Sequence, residues 1–314
     1  MRTAPAPLFN DPIYNGAADP TIIWNHLEKQ WWIIYTQRRH NGLGMGVADV
    51  HGSDLGVASS PDGHNWLYRG TLEGLAIEPG HNTWWAPEVM FHEGIYHMYA
   101  SYVQGIPTSW DRPRKIIHYT SQDLWHWKFE SILDLQSDRV IDACVVKTPQ
   151  GIWRMWYKDE CDNSYVHYAD STDLYHWEHK GCAVDMDSHE GPNVFFLEGK
   201  WWYVADFWRG QGVFSGEDCL HWDFQGYILR DGSSRPDDYS KGNHGDILIH
   251  KGEAYIFYFA HTHPTPGENG RPGRPGGTSL QVAHLRVEDG KLLCDRDEVF
   301  PFELTEPESE ASYQ

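Results

Sequence analysis

Apolar positions along this chain come in short dense runs and not at the three-and-four spacing that lays a stripe down a helix. Five of these runs share a layout: KQWWIIYTQ from Lys29, GIYHMYASY from Gly94, GIWRMWYKD from Gly151, GKWWYVADF from Gly199 and GEAYIFYFA from Gly252. Each is a turn residue followed by aromatic and β-branched residues over the length of one strand. Just upstream of every run, an acid stands beside a small residue or proline: AADPTIIW at Asp19, WAPEVMF at Glu88, VIDACVV at Asp142, HEGPNVFF at Glu190 and NHGDILI at Asp246. Third strands such as KIIHYTS (115 to 121) and SYVHYADS (164 to 171) follow, and a polar turn ending in tryptophan closes the unit. That turn reads SPDGHNW at 60 to 66, SQDLWHW at 121 to 127, STDLYHW at 171 to 177 and GEDCLHW at 216 to 222.

Four strands per unit, recurring at the spacing of propeller blades, predict an all-β fold: a five-bladed β-propeller with four-stranded antiparallel blades. The tryptophan turn is then the hairpin between the third and fourth strands, its acid bonding turn amides and its Trp packing between sheets. The fifth unit lacks this turn and continues as TSLQVAHLRVEDGKLL (278 to 293), so ring closure is expected to use a terminal strand. No linker separates two cores, and residues 1–314 read as one domain with a frayed acidic tail over 306–314. The stretch HTHPTPGENGRPGRPGG (261 to 277) is too rich in Pro and Gly to pair in a ladder and reads as a long surface loop.

Composition narrows the partners. A formal charge of −20 over 314 residues excludes the clustered cations that nucleic acid or an anionic membrane surface would need. No apolar run reaches the length of a membrane span, and MRTAPAPLFN lacks a secretory layout. As written the chain reads as cytoplasmic, or as periplasmic or secreted if a leader has been removed; its oligomeric state is not legible. The five cysteines are scattered, without a C-x-x-C pair, and are expected to be buried free thiols. The 16 Trp and 17 Tyr fill strands for the most part, but flat aromatic faces also suit the apolar side of a sugar ring.

In a propeller the first strand of each blade lines the central axis, so Asp19, Glu88, Asp142, Glu190 and Asp246 are expected to converge on one funnel. Carboxylates gathered there repel one another, so such a cluster holds a cation or performs acid/base chemistry. The ADP of the first blade, WAPE of the second, Ile-Asp-Ala of the third and EGP of the fourth resemble the blade motifs of glycoside hydrolase family 43 and its clan, over roughly Asn10 to His261.

The resemblance implies hydrolysis of glycosides with inversion. It makes Asp19 the general base, Glu190 the general acid, and Asp142 the third carboxylate that orients the acid and keeps it protonated by like-charge repulsion. Inversion needs two carboxyl groups about 6.5–9.5 Å apart, which opposite sides of a funnel can supply. The implied substrate is an oligosaccharide from plant or algal polysaccharide: an arabinofuranoside, xyloside, galactoside or uronide. Trp84, Trp85 and Trp208 are candidate sugar platforms, Glu88 a residue that shapes the pocket, and Arg38, Arg39 and Arg209 candidate readers of a sugar carboxylate. His244 matches a position near an axial water or a calcium ion; no cofactor is required, but a structural Ca²⁺ on the axis is a candidate. Specificity is expected from the rim loops Gly42 to Leu55, Gly105 to Arg114 and His261 to Gly277.

One resemblance is a decoy and two other readings stay open. FNDPIYNG (9 to 16) resembles the box of retaining fructosidases, which would make Asp11 a nucleophile, but the third blade reads DRVIDA without Arg-Asp-Pro and Glu160-Cys161 follows an aromatic strand where it cannot open a blade, so Asp19 is kept over Asp11. A clan-related anhydrogalactosidase would use a histidine as acid, with His189 or His244 as candidates. A non-catalytic carbohydrate-binding propeller would need none of the axial acids.

Overall fold

The computed structural model describes residues 2–41, 44–263 and 276–308. A two-residue strand, β1 (Phe9–Asn10), precedes the first complete blade of β2 (Ala17–Asn25), β3 (Gln30–Gln37), β4 (Asp54–Ser60) and β5 (Leu67–Thr71). The second blade is β6 (Thr83–His92), β7 (Ile95–Val103), β8 (Lys115–Ser121) and β9 (Lys128–Ile132). The third is β10 (Val140–Lys147), β11 (Trp153–Asp159), β12 (Tyr165–Ser171) and β13 (Glu178–Val184), and the fourth is β14 (Glu190–Leu197), β15 (Lys200–Asp206), β16 (Gln211–Gly216) and β17 (Asp223–Ile228). The fifth sheet contains β18 (Gly245–His250), β19 (Glu253–His261) and β20 (Thr278–Glu288), with β21 (Lys291–Leu293) folded back on β20. Its outermost position is filled by β1, so the N-terminal strand closes the ring, as the missing fifth turn requires. Among the described residues there is no α-helix, and so none long and apolar enough to cross a membrane.

Why the sheets stand radially follows from the burial pattern. The second strands are buried almost throughout, with Trp31, Trp32, Trp156 and Trp202 wholly covered. Residues covered on both faces belong to strands sandwiched between neighbouring sheets. Fourth strands such as β5 and β9 alternate between exposed and half-buried positions, as outer edges should. The inner strands β2, β6, β10, β14 and β18 each contact the next around the axis, and β18 returns to β2.

The tryptophan turns have the chemistry their residues imply. Asp62, Asp123, Asp173 and Asp218 each accept the backbone N–H two residues on, at 2.8 to 3.0 Å. Ser60, Ser121 and Ser171 accept a further turn N–H at 2.9 to 3.0 Å. Trp177 reaches across to blade two, edge-on to Tyr99 at 5.5 Å. One expectation is corrected: Cys144 and Cys219 are buried, but Cys161 and Cys182 are exposed, because they stand on a turn and on an outer strand. Residues 264–275 of the long loop, 42–43 of the first rim loop and 309–314 of the tail lie outside the described residues.

Candidate active site

The inner strands are irregular at one shared place. Their ladders to the second strand shift register between Ala18 and Thr21, Trp85 and Glu88, Ile141 and Cys144, and Glu190 and Asn193. Within each bulge one residue is left-handed: Asp19 (φ 46°), Ala86 (41°), Asp142 (60°) and Gly191 (59°). A bulge re-aims the side chains beside it, and short polar Asp tolerates this conformation better than most residues. The bulges turn Asp19 and Asp142, with Glu190 next to its own left-handed glycine, into one cavity of about 390 Å³ at the end of the axis.

Here the structure corrects the expected single funnel. Glu88 lies beyond the bulge, in register with Thr21, Cys144 and Asn193, and Asp246 belongs to an inner strand without one. Both face a second cavity of about 300 Å³ at the opposite end of the axis. There Glu88 Oε1 accepts the Val145 N–H (2.7 Å) and Asp246 Oδ2 accepts the Ile22 N–H (2.8 Å). Glu88 therefore does not shape the pocket that holds Asp19.

The three carboxylates keep unequal company. Arg38 Nη2 stands 3.2 Å from both oxygens of Asp19, its guanidinium 4.6 Å from the centre of the Phe259 ring. His244 Nδ1 lies 3.8 Å from Asp19 Oδ1 and 3.8 Å from Asp142 Oδ2, bridging them. Asp142 Oδ2 also accepts the N–H of Gly191 at 3.1 Å. Glu190 is held by Lys158, whose Nζ is 2.9 Å from Oε2 and 3.3 Å from Glu160 Oε1. Glu160 is paired in turn with Arg114.

These partners pull the two carboxyls in opposite directions. Burial pushes Asp142 up to about 7, opposed by the charges of His244 and Lys158 and reinforced by those of Glu190 and Asp19. Burial also acts to raise Glu190, but the Lys158 charge and hydrogen bonds from Trp208 and Lys158 outweigh it and take the carboxyl down to about 2. Repulsion from Asp142 was expected to raise Glu190; the Lys158 ammonium, 2.9 Å from Oε2, pulls that carboxyl down instead.

Aromatic side chains wall the cavity. Trp85 lines it, its indole N–H donating to Val50 O (2.6 Å), with Trp110 from the second rim loop alongside at 6.2 Å. Trp208 is 46 % exposed and left-handed (φ 56°), and Asp206 Oδ1 accepts its backbone N–H at 2.6 Å. Trp84 is not a platform: strand alternation turns it away from its neighbour Trp85 into the core, where its N–H donates to Tyr119 Oη (3.2 Å). Arg209 is not in the cavity either; its guanidinium is taken by Asp187 and by Tyr227 Oη on the rim. Arg39 binds the carbonyls of His51 and Ala48 and so shapes the first rim loop.

The rival residues are placed as plainly. Asp11 is buried outside the cavity, its oxygens accepting from the Ile13 and Tyr14 amides, Tyr35 Oη and Gln37 Nε2. His189 is fully buried against Phe207, with Nε2 2.7 Å from Tyr203 Oη, so of the two candidate histidines it is His244 that lines the cavity. Calcium takes about six to eight oxygen ligands, water and backbone carbonyls among them; among the described residues no group of three or more His, Cys, Asp or Glu side chains is spaced to hold a metal ion by itself.

Sequence reasoning missed Glu160, Arg114, Lys241, Asn243 and His261, which line the cavity, and Lys158, which pairs with Glu190 behind it. One signal was available. The aromatic second strands break off in charged or amide groups, Gln37-Arg38, Lys158-Asp159 and Asp206, where continued apolar burial would be expected.

No family sequence model and no curated protein matches the chain. Solved structures do. A thermostable family-43 glycoside hydrolase is 19% identical with a TM-score of 0.64, covering 96% of this chain and 99% of its own. A GH43 β-xylosidase/α-arabinofuranosidase from a compost microbial metagenome, in complex with xylotriose, is 17% identical with a TM-score of 0.68, covering 93% and 97%. A GH43 enzyme from Xanthomonas citri complexed with xylose is 15% identical with a TM-score of 0.66, covering 92% of each chain. The overall superposition shows that this chain, with its five radial sheets, shares the fold of these family-43 structures.

Proposed function

We propose that this protein is a glycoside hydrolase of the family-43 kind, acting with inversion on the ends of plant or algal oligosaccharides. Xylosides and arabinofuranosides are the first substrates to try, given what the similar structures bind. The observation that carries the proposal is the set of three bulged or bulge-adjacent carboxyl groups, Asp19, Asp142 and Glu190, facing one aromatic-walled cavity. A binding module would need the aromatic walls but not acids held in strained backbone.

Asp19, with both oxygens oriented by Arg38, takes a proton from water as that water attacks the anomeric carbon. Glu190 gives its proton to the departing glycosidic oxygen, and Asp142 is the carboxyl from which that proton is replaced. Trp85, Trp110 and Trp208 close around the sugar, which favours a terminal residue over the middle of a long chain.

The test is a panel of aryl glycosides and xylo- and arabino-oligosaccharides with the parent protein and Asp19→Asn. Turnover is expected in the parent, with the first product anomer inverted by NMR, and a loss of about 10²–10⁴-fold in the variant. Retention at the anomeric carbon, or turnover untouched by the substitution, would refute the assignment.

A further inference from the structure

The side of the cavity that holds Glu190 contains a cation no acid/base scheme of two carboxyls requires. Lys158 leaves β11 at its charged end and is 4 % exposed in its side chain. Its Nζ lies 2.9 Å from Glu190 and 3.3 Å from Glu160, and 5.0 Å from the centre of the Trp208 ring. One ammonium thus stands between two carboxylates beside the ring that walls the sugar site. The Asp142 carboxyl accepts the amide of Gly191, the residue that follows Glu190.

We propose that Lys158 is a positioning residue that moves between Glu190 and Glu160, and that its position decides whether Asp142 or Glu190 carries the proton of the site. The proposal rests on the glycosidase reading given above. With Lys158 against Glu190, the proton stays on Asp142. A sugar seated on Trp208 crowds the ammonium toward Glu160, where a carboxylate already waits within ion-pair distance. The proton then passes from the Asp142 carboxyl to the Glu190 carboxylate, leaving Asp142 ionised beside His244 and Glu190 ready to donate. One O–H bond breaks and one forms, and no other reactant is needed. Glu190 would then be armed in the presence of substrate and disarmed without it.

Several charged groups face Glu190 and belong to the same balance. Lys158 comes from the second strand of blade three, Glu160 from the turn just after it and Asp142 from the first strand, while Asp206 is the ladder partner of Glu190 and Lys241 is paired with Asp206. His244 and His189 complete the set.

Lys158→Met and Lys158→Arg test this with two readouts. The first is NMR titration of isotope-labelled glutamate side chains, with the Glu190 signal assigned by Glu190→Gln. It needs no substrate. Removing the cation is expected to raise the Glu190 midpoint by about 1–3 pH units, and Arg to restore it. The second is the pH profile of kcat/KM on the aryl glycoside that the parent turns over, where the alkaline limb is expected to move up in Lys158→Met and return in Lys158→Arg. A Glu190 midpoint unmoved in Lys158→Met overturns the proposal whether or not the protein is a glycosidase. A parent inactive on every glycoside would sink the functional reading, while the titration still decides whether Lys158 governs the Glu190 proton.

Discussion

Gly191 has no Cβ, and the structure leaves no room for one. Its φ is +59°, and a methyl group built there would come within 2.5 Å of the His244 ring. Backbone strain and side-chain collision therefore coincide one residue from Glu190. Gly191→Ala is expected to lower stability by about 1–3 kcal/mol and, by displacing His244 from Asp19 and Asp142, to reduce kcat/KM by about 10²-fold. Thermal denaturation and steady-state kinetics on the same preparation check both, and wild-type kinetics would show that His244 does not position these acids. At this scale the sequence was partly legible. Asp19, Asp142 and Glu190 stood out because acids interrupt apolar strand starts. Trp84 and Trp85 could not be separated, since strand alternation decides which of two neighbours faces the cavity and the strand's phase depends on a bulge. Lys158 was hidden for another reason: its partner is 32 positions away, in the next blade.

At the scale of the element, a very short strand has a large task. β1 offers two residues to β20, with Phe9 opposite Leu280 and Leu8 N donating to Leu280 O at 2.9 Å. Phe9 is buried and packs 5.5 Å from Tyr35, which joins the closing strand to the first blade. Asp11, just past it, is bound by Tyr35 and Gln37 of β3 and serves as a tether. Phe9→Ala should therefore cost about 3–5 kcal/mol in urea denaturation. A midpoint within error of the parent would mean that the ring is closed by other contacts. The need for a terminal strand was readable from the absent fifth turn. The bulges were not, because the register shift leaves no residue pattern of its own: Ala86 and Gly191 occupy in two blades the place Asp19 and Asp142 occupy in the others.

Across the whole molecule, the ring divides its acids between two ends of one axis. At the end away from the candidate active site, burial drives Glu88 well above its usual range, reinforced by the Asp246 charge, and burial likewise raises Asp246 to about 6. A carboxyl whose folded value exceeds its unfolded value binds more protons when folded, so its contribution is complete below the unfolded value and is lost as pH rises. For Glu88 the loss begins near the ordinary 4.5 and continues upward. Glu88→Gln carries no charge to bury, so its stability relative to the parent is expected to increase from pH 4 toward neutrality, as read from urea midpoints across that range. A difference independent of pH would mean that Glu88 ionises in the folded protein without penalty.

The chain alone determined the number of blades, the order of strands within each and which acids open the inner strands, because these depend on local residue types repeated in sequence. Folding decided the rest. Register shifts sent Asp19 and Asp142 to one end and Glu88 to the other, and ring closure set Lys158 against Glu190 and His244 between Asp19 and Asp142. Those pairings join residues from different blades, and only the closed ring brings their charges within a few ångströms, where they decide which carboxyl holds the proton.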